Sequence, residues 1–299
     1  MDAPPPTKST AENASPARFV IDVEEAENMM KAQGLSSVMD LLPVLVPAAK
    51  RLARAPISGH LVGAVGLGES GRIYFGANLE FPGLPLHHSV HAEQFLITNA
   101  AAHRERAIRC IAVSSAPCGH CRQFFQEIRN ASQIQILITG SGSDLAFRPL
   151  SYYIPEPFGP SDLLHDDSPF LLEPHNNRIE IIDDGHEAPN RILGAAVNGA
   201  RSAHAPYSGC AAGFAVGDGK GRVGGGGYME SAAYNPGMGP VAAALVAYLM
   251  AGGGAWEDIV EAALVEKEKA VVPQEATARV VLAAVAPKAR LQVSHYRQA

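Results

Sequence analysis

Ala55-Pro56-Ile57-Ser58-Gly59 returns as Ala205-Pro206-Tyr207-Ser208-Gly209, an offset of 150 residues (205 − 55). With the same offset and no gap, Gly63 meets Gly213, Gly71-Arg72 meets Gly221-Arg222, Gly76 meets Gly226, and Glu80 meets Glu230. Chance accounts for one or two identities in such a window, but not for nine, so the chain carries one fold twice. In the first copy the pattern predicts strands over 60–68 and 72–81, joined as a hairpin by Gly68-Glu69-Ser70-Gly71. A helix over 90–104 with Ser89 as its N-cap follows, then a buried strand over 109–114. A second helix opens at Pro117, and a strand runs over 133–139. The order β-β-α-β-α-β predicts an α/β fold, a mixed sheet with helices on its faces.

Outward from the repeat, apolar residues over 23–54 recur at steps of three and four, a helical spacing in which Pro43 and Pro47 are expected to start new turns. Residues 1–18 are rich in Pro, Ser, Thr and Ala and read as an unfolded tail. Five prolines between 151 and 178 mark a linker. The expected organisation is a tail (1–18), an N-terminal helical segment (19–54), the first copy (55–150), the linker (151–178) and the second copy (179–299). The residues from 231 to 256 carry no charge, but Pro236, Pro240 and Gly252-Gly253-Gly254 interrupt them. A buried helix over 241–250 is expected there, and no membrane span.

The balance of 24 basic against 30 acidic residues gives a net charge of −6. No basic stripe is present to displace counterions from phosphates, which argues against a nucleic-acid partner but not against a single nucleoside. Of the four cysteines, Cys110 and Cys210 read as small buried apolar residues. The N-terminus shows no apolar leader segment, and a reducing, cytoplasmic setting is expected. There a close cysteine pair reads as metal ligands before it reads as a disulfide.

That pair stands in Pro117-Cys118-Gly119-His120-Cys121, downstream of His91-Ala92-Glu93. Cysteines three apart at a helix start bring two sulfurs to one point, and the free N–H groups there stabilise thiolates. Zinc accepts two such sulfurs and an imidazole, here His91, as a three-ligand set whose fourth position is open to water. Glu93 is not needed as a ligand and is placed to move protons. Two other readings stay open: a closed structural zinc site with a fourth ligand such as His120, or a redox pair. His120 is otherwise expected to face solvent, and His87 and His88 to lie in a loop. The second copy sharpens the case. At the same offset His91 meets Val241, Glu93 meets Ala243, Cys118 meets Glu268 and Cys121 meets Val271. Residues that served only the fold would have been retained in part.

H-x-E followed by P-C-x-x-C is the known pattern of zinc deaminases that act on nucleobases. Together with Phe75-Gly76-Ala77-Asn78-Leu79-Glu80-Phe81, it makes the chain resemble the cytidine deaminase family, in its large homodimeric class, over about residues 23–290. The resemblance implies a three-layer α/β deaminase fold and a degenerate C-terminal copy without zinc. It also implies one catalytic zinc per chain and hydrolytic deamination of cytidine and 2′-deoxycytidine in pyrimidine salvage. Carried over by motif, Asn78 and Glu80 hold the ribose hydroxyls, and the Ala92 carbonyl accepts from the amino group of the base. His60 stands where an aromatic residue contacts the pyrimidine. Phe158 resembles a residue that reaches the partner subunit's pocket. Arg122 either donates to a metal-bound thiolate or is exposed.

Overall fold

The computed structural model describes residues 18–140, 142, 145–182 and 190–298. Except for its final residue, the predicted tail lies outside the described residues. The chain enters at the short strand β1 (Val20–Ile21), followed by helices α1 (Val23–Ala32) and α2 (Val38–Lys50). Ser37 caps α2: its hydroxyl accepts from the Asp40 N–H, and the Asp40 carboxylate accepts from the Ser37 N–H in return. The new turns expected at Pro43 and Pro47 do not occur, because α2 runs through both. Spaced by four, the two prolines share a face that is half-buried to exposed, while Leu41, Leu42, Leu45, Val46 and Ala49 are buried.

The hairpin follows as β2 (Gly63–Gly68) and β3 (Ile73–Ala77), antiparallel with Val65 opposite Phe75. Next come α3 (Ala92–Ala102), β4 (Ile108–Val113), α4 (Gly119–Phe124) and β5 (Gln135–Ile138), then β6 (Arg148–Pro149) and α5 (Leu150–Tyr153). The sheet order is β1-β3-β2-β4-β5-β6, with β4 and β5 parallel and the other neighbours antiparallel. Alternate strand residues face opposite sides, as a period of two requires. Val65, Ile73 and Phe75 join Leu41, Leu42 and Leu45 on the α2 side, and Ala64 and Tyr74 join Phe95 and Leu96 on the α3 side.

The second half comprises β7 (Ile179–Ile181), α6 (Arg191–Arg201), β8 (Ala212–Asp218), β9 (Val223–Gly227), α7 (Pro240–Met250), β10 (Ile259–Lys267), α8 (Glu275–Val285) and β11 (Arg290–Gln298). Its sheet order is β7-β11-β10-β8-β9, with β10 and β11 parallel. β9 has the bounds of β3 moved by 150 residues (73 + 150 = 223 and 77 + 150 = 227), so the sequence repeat is a structural one. The matched glycines sit where backbones touch. A Cβ at Gly63 would fall 2.3 Å from the Lys50 nitrogen, and one at Gly213 would fall 2.0 Å from the Ala196 carbonyl. Gly71 and Gly221 adopt φ of 86° and 88° in the hairpin turns, a region open to glycine.

The halves differ at one edge. β1 covers β3, where the Phe75 N–H donates to the Phe19 carbonyl at 2.9 Å. Among the described residues no strand covers the outer side of β9. The halves join through α3 and α7, which are buried along most of their length within one apolar cluster. The Pro-rich stretch over 151–178 packs back through buried Leu171 and Leu172. Among the described residues no helix is long and apolar enough to cross a membrane.

Candidate active site

Two elements bring the predicted donors together. His91 is the N-cap of α3, with φ −80° and ψ 154°, and Cys118 is the N-cap of α4. The expected cap, Ser89, closes a preceding 3₁₀ turn instead, and Pro117 lies just outside α4 rather than opening it. His91 Nδ1 lies 3.4 Å from Cys118 Sγ and 3.3 Å from Cys121 Sγ, and the two sulfurs are 3.7 Å apart. Tetrahedral zinc, with legs of about 2.3 Å to sulfur and about 2.0–2.1 Å to nitrogen, separates two sulfurs by about 3.8 Å and sulfur from nitrogen by about 3.5 Å. The triangle therefore fits zinc in both donor type and size. Only these three donors form the group. His120 is not a fourth, because its Nε2 bonds the Asn235 carbonyl at 2.7 Å. Its predicted exposure to solvent is thus corrected: it is half-buried against the second half.

Electrostatics favour one deprotonated sulfur of the two, that of Cys118. A hydrogen bond from Cys121 is the largest influence on Cys118 and holds its thiol down at about 4, while the same bond and burial push the Cys121 thiol up. Cys118 is exposed and Cys121 fully buried, so the cysteine pair spans the wall between solvent and core. Glu93 stands beside the triangle but outside it, 4% exposed. Burial pushes its carboxyl up, opposed by a hydrogen bond from its own backbone N–H and by the neighbouring His91. A buried carboxyl with a raised pKa keeps a proton more readily than a free one, which suits a group that takes up and returns protons.

Glu80 and Asn78 shape the loop ahead of the site. Glu80 accepts from the Ile57 N–H at 2.8 Å, the Ser58 N–H at 2.9 Å and the Ser58 hydroxyl at 2.5 Å. Burial opposes its ionisation, but these bonds outweigh burial and hold its carboxyl below the usual range. In the second half Glu230 accepts from the Tyr207 N–H at 2.9 Å, the Ser208 N–H at 3.1 Å and the Ser208 hydroxyl. The matched glutamates thus pin the matched turns, which explains why the copy kept Glu230. Asn78 Oδ1 accepts from the Val62 N–H at 2.8 Å, and its Nδ2 donates to the His60 carbonyl at 2.9 Å.

The exposed His60 has its Nε2 3.3 Å from Ser115 Oγ. Ala92 is fully buried, and a Cβ at Gly76 would come within 2.1 Å of its carbonyl oxygen, so only glycine lets β3 pack this closely on the start of α3. Phe158 is 46% exposed, and its carbonyl accepts from Gln123 Nε2. Arg122 is half-buried rather than exposed, and its guanidinium donates to the Pro117 carbonyl at 2.7 Å and the Tyr153 carbonyl at 3.0 Å. Cys110 and Cys210 are buried. His87 and His88 stand in a 3₁₀ turn, Leu86–His88.

One cluster carries no sequence motif. Glu127, fully buried, accepts from Tyr207 Oη at 2.6 Å, the Ala232 N–H at 2.7 Å and His204 Nε2 at 3.2 Å, all in the second half. Among the described residues the second half holds one close donor group, Glu266, Glu275 and His295. It lies on β10, α8 and β11, holds no sulfur, and Glu266 already accepts from the Gln274 N–H.

A carboxyl kept out of a nitrogen–sulfur triangle, on a duplicated mixed sheet, places the molecule among the zinc deaminases. Residues 39–137 and 150–279 both match the family described as "Cytidine and deoxycytidylate deaminase zinc-binding region". Cytidine deaminase 1 of Arabidopsis thaliana is 51% identical, over 94% of this chain and 98% of its own. Cytidine deaminase of Photorhabdus laumondii is 35% identical, over 89% of this chain and 86% of its own. The crystal structure of cytidine deaminase from Burkholderia pseudomallei aligns with a TM-score of 0.37 and 27% identity, covering 40% of this chain and 98% of that one. The chain belongs to the cytidine deaminase family, and its cofactor is zinc.

Proposed function

We propose that this protein converts cytidine and 2′-deoxycytidine, with water, to uridine and 2′-deoxyuridine, with release of ammonia. The observation that carries this reading is the His91–Cys118–Cys121 triangle with Glu93 buried beside it. Held by those three residues, zinc would supply Lewis acidity that makes water a nucleophile at neutral pH. Glu93 accepts one proton from the attacking water and passes it to N3 of the ring; it then takes the second from the new C4 hydroxyl and delivers it to the departing amino group, which leaves as ammonia. The Ala92 carbonyl accepts from the exocyclic amino group of the base. Asn78 and Glu80 orient the sugar. Both retain capacity beyond the loop bonds: Asn78 has a second amide hydrogen, and Glu80 Oε1, which accepts a single bond, has a further lone pair. His60, at the solvent edge, stacks on the pyrimidine.

We assign the catalytic unit to 55–150, preceded by the helical segment 19–54 and joined through 151–178 to a zinc-free unit at 179–299. We further propose a cytoplasmic homodimer acting in pyrimidine salvage, in which the exposed Phe158 reaches the partner's pocket. The test is an ultraviolet assay of a nucleoside and nucleotide panel, with metal content measured on the same sample. Loss of the cytidine absorbance with one zinc per chain is expected. An inert zinc-loaded protein, or turnover confined to nucleotides, refutes the reading.

A further inference from the structure

The C-terminal half supplies no donor to the triangle, yet two consecutive carbonyls of one of its loops reach the elements that carry it. Asn235 O accepts from Nε2 of His120, the residue between the two cysteines, at 2.7 Å. Pro236 O accepts from Gln94 Nε2 at 3.3 Å, and the other end of that amide, Oε1, accepts from the His91 N–H at 3.2 Å. Gln94 is 4% exposed, so little water competes for these bonds.

The loop is itself held. Met229 and Met238 exchange backbone bonds at 3.0 and 2.7 Å, the Ala232 N–H is tied to Glu127, and the Gly237 N–H closes a turn on the Tyr234 carbonyl at 3.1 Å. The element it touches has little stability of its own. α4 has six residues, and a helix so short does not persist by its own hydrogen bonds. Arg122 anchors it to carbonyls of the first half, and His120 anchors it to the second.

We propose that the loop over 231–238 is a splint for the metal centre. The Asn235 carbonyl sets the turn that bears Cys118 and Cys121, and the Pro236 carbonyl, through Gln94, sets the backbone of His91. His120 and Gln94 are positioning residues. The inference rests on the zinc reading above but needs no deamination to test.

The experiment times zinc transfer from the full-length protein to a chromogenic chelator, for the wild type and for H120A, H120Q and Q94L. Supporting residues around metal ligands typically change affinity or activity by about 10–100-fold, so H120A and Q94L should release zinc about tenfold faster or more. Their kcat should fall while KM for cytidine stays within about twofold, since the sugar contacts are untouched. In H120Q the side-chain amide can donate to the same carbonyl, and its release should return most of the way to wild type. Amide exchange over 117–124 in the zinc-free proteins should follow the same order. Folded H120A and Q94L that release zinc at the wild-type rate overturn the splint. If H120A fails to fold, Q94L and H120Q decide. A wild type that binds no zinc overturns the metal reading instead.

Discussion

Glu93 shows how one side chain acquires its chemistry from where it lies. It stands two residues after His91 on a helix whose residues 92–100 are all buried, so water cannot stabilise its anion. The E93Q variant keeps the shape and loses the proton. It should bind zinc fully by elemental analysis and lose about 10²–10⁴ in kcat, and near-wild-type turnover would remove Glu93 from the proton path. The spacing of His91, Glu93, Cys118 and Cys121 made this centre legible in the sequence, because metal chemistry restricts both residue type and interval. The partners of His120 and Arg122 were not legible. Both bond backbone carbonyls, 115 and 31 residues away, and every residue offers a carbonyl, so no side-chain pattern points to the right one.

The turn that opens each copy is where structure and function separate. Glu230 pins its turn where no triangle stands, so E230Q reads the structural role alone. It should lower unfolding free energy by about 1–2 kcal/mol in urea titration and leave KM for cytidine unchanged. E80Q should show a similar loss and also raise KM, and equal effects of the two would deny Glu80 a sugar contact. The pH dependence has a definite sign. The folded pKa of Glu80 lies below its ordinary 4.5, so its contribution is complete above that value and is lost as pH falls through the lower one. Element types were legible from apolar period and glycine placement; element starts were not. Ser89 is the better cap by preference, but the chain keeps His91 extended, where its ring can meet two sulfurs. Likewise α2 absorbs two prolines because both fall on its outer side and five apolar residues hold the other.

Across the whole molecule, duplication was legible as nine matched residues, but the contact between the copies was not. Glu127 occupies the centre of that contact, and nothing in Gln126-Glu127-Ile128 distinguishes it from a surface glutamate. Removing its carboxyl in E127A strands Tyr207 Oη, His204 Nε2 and the Ala232 N–H in the interior. The expected cost is on the order of 3 kcal/mol or more, read as a shift of the urea midpoint. A change under about 0.5 kcal/mol, the usual size for surface sites, would show that the halves do not depend on this link.

The uncovered side of β9 carries a consequence in time rather than in energy. Where β1 lies against β3, Phe75 can surrender its amide hydrogen to solvent only after a strand lifts away. At the matched residue, Gly225, antiparallel alternation turns the N–H outward, and no strand among the described residues guards it. Deuterium should therefore enter Gly225 and Gly227 well before Phe75. Two halves of common design would then keep different clocks, the second opening at its rim while the first stays shut.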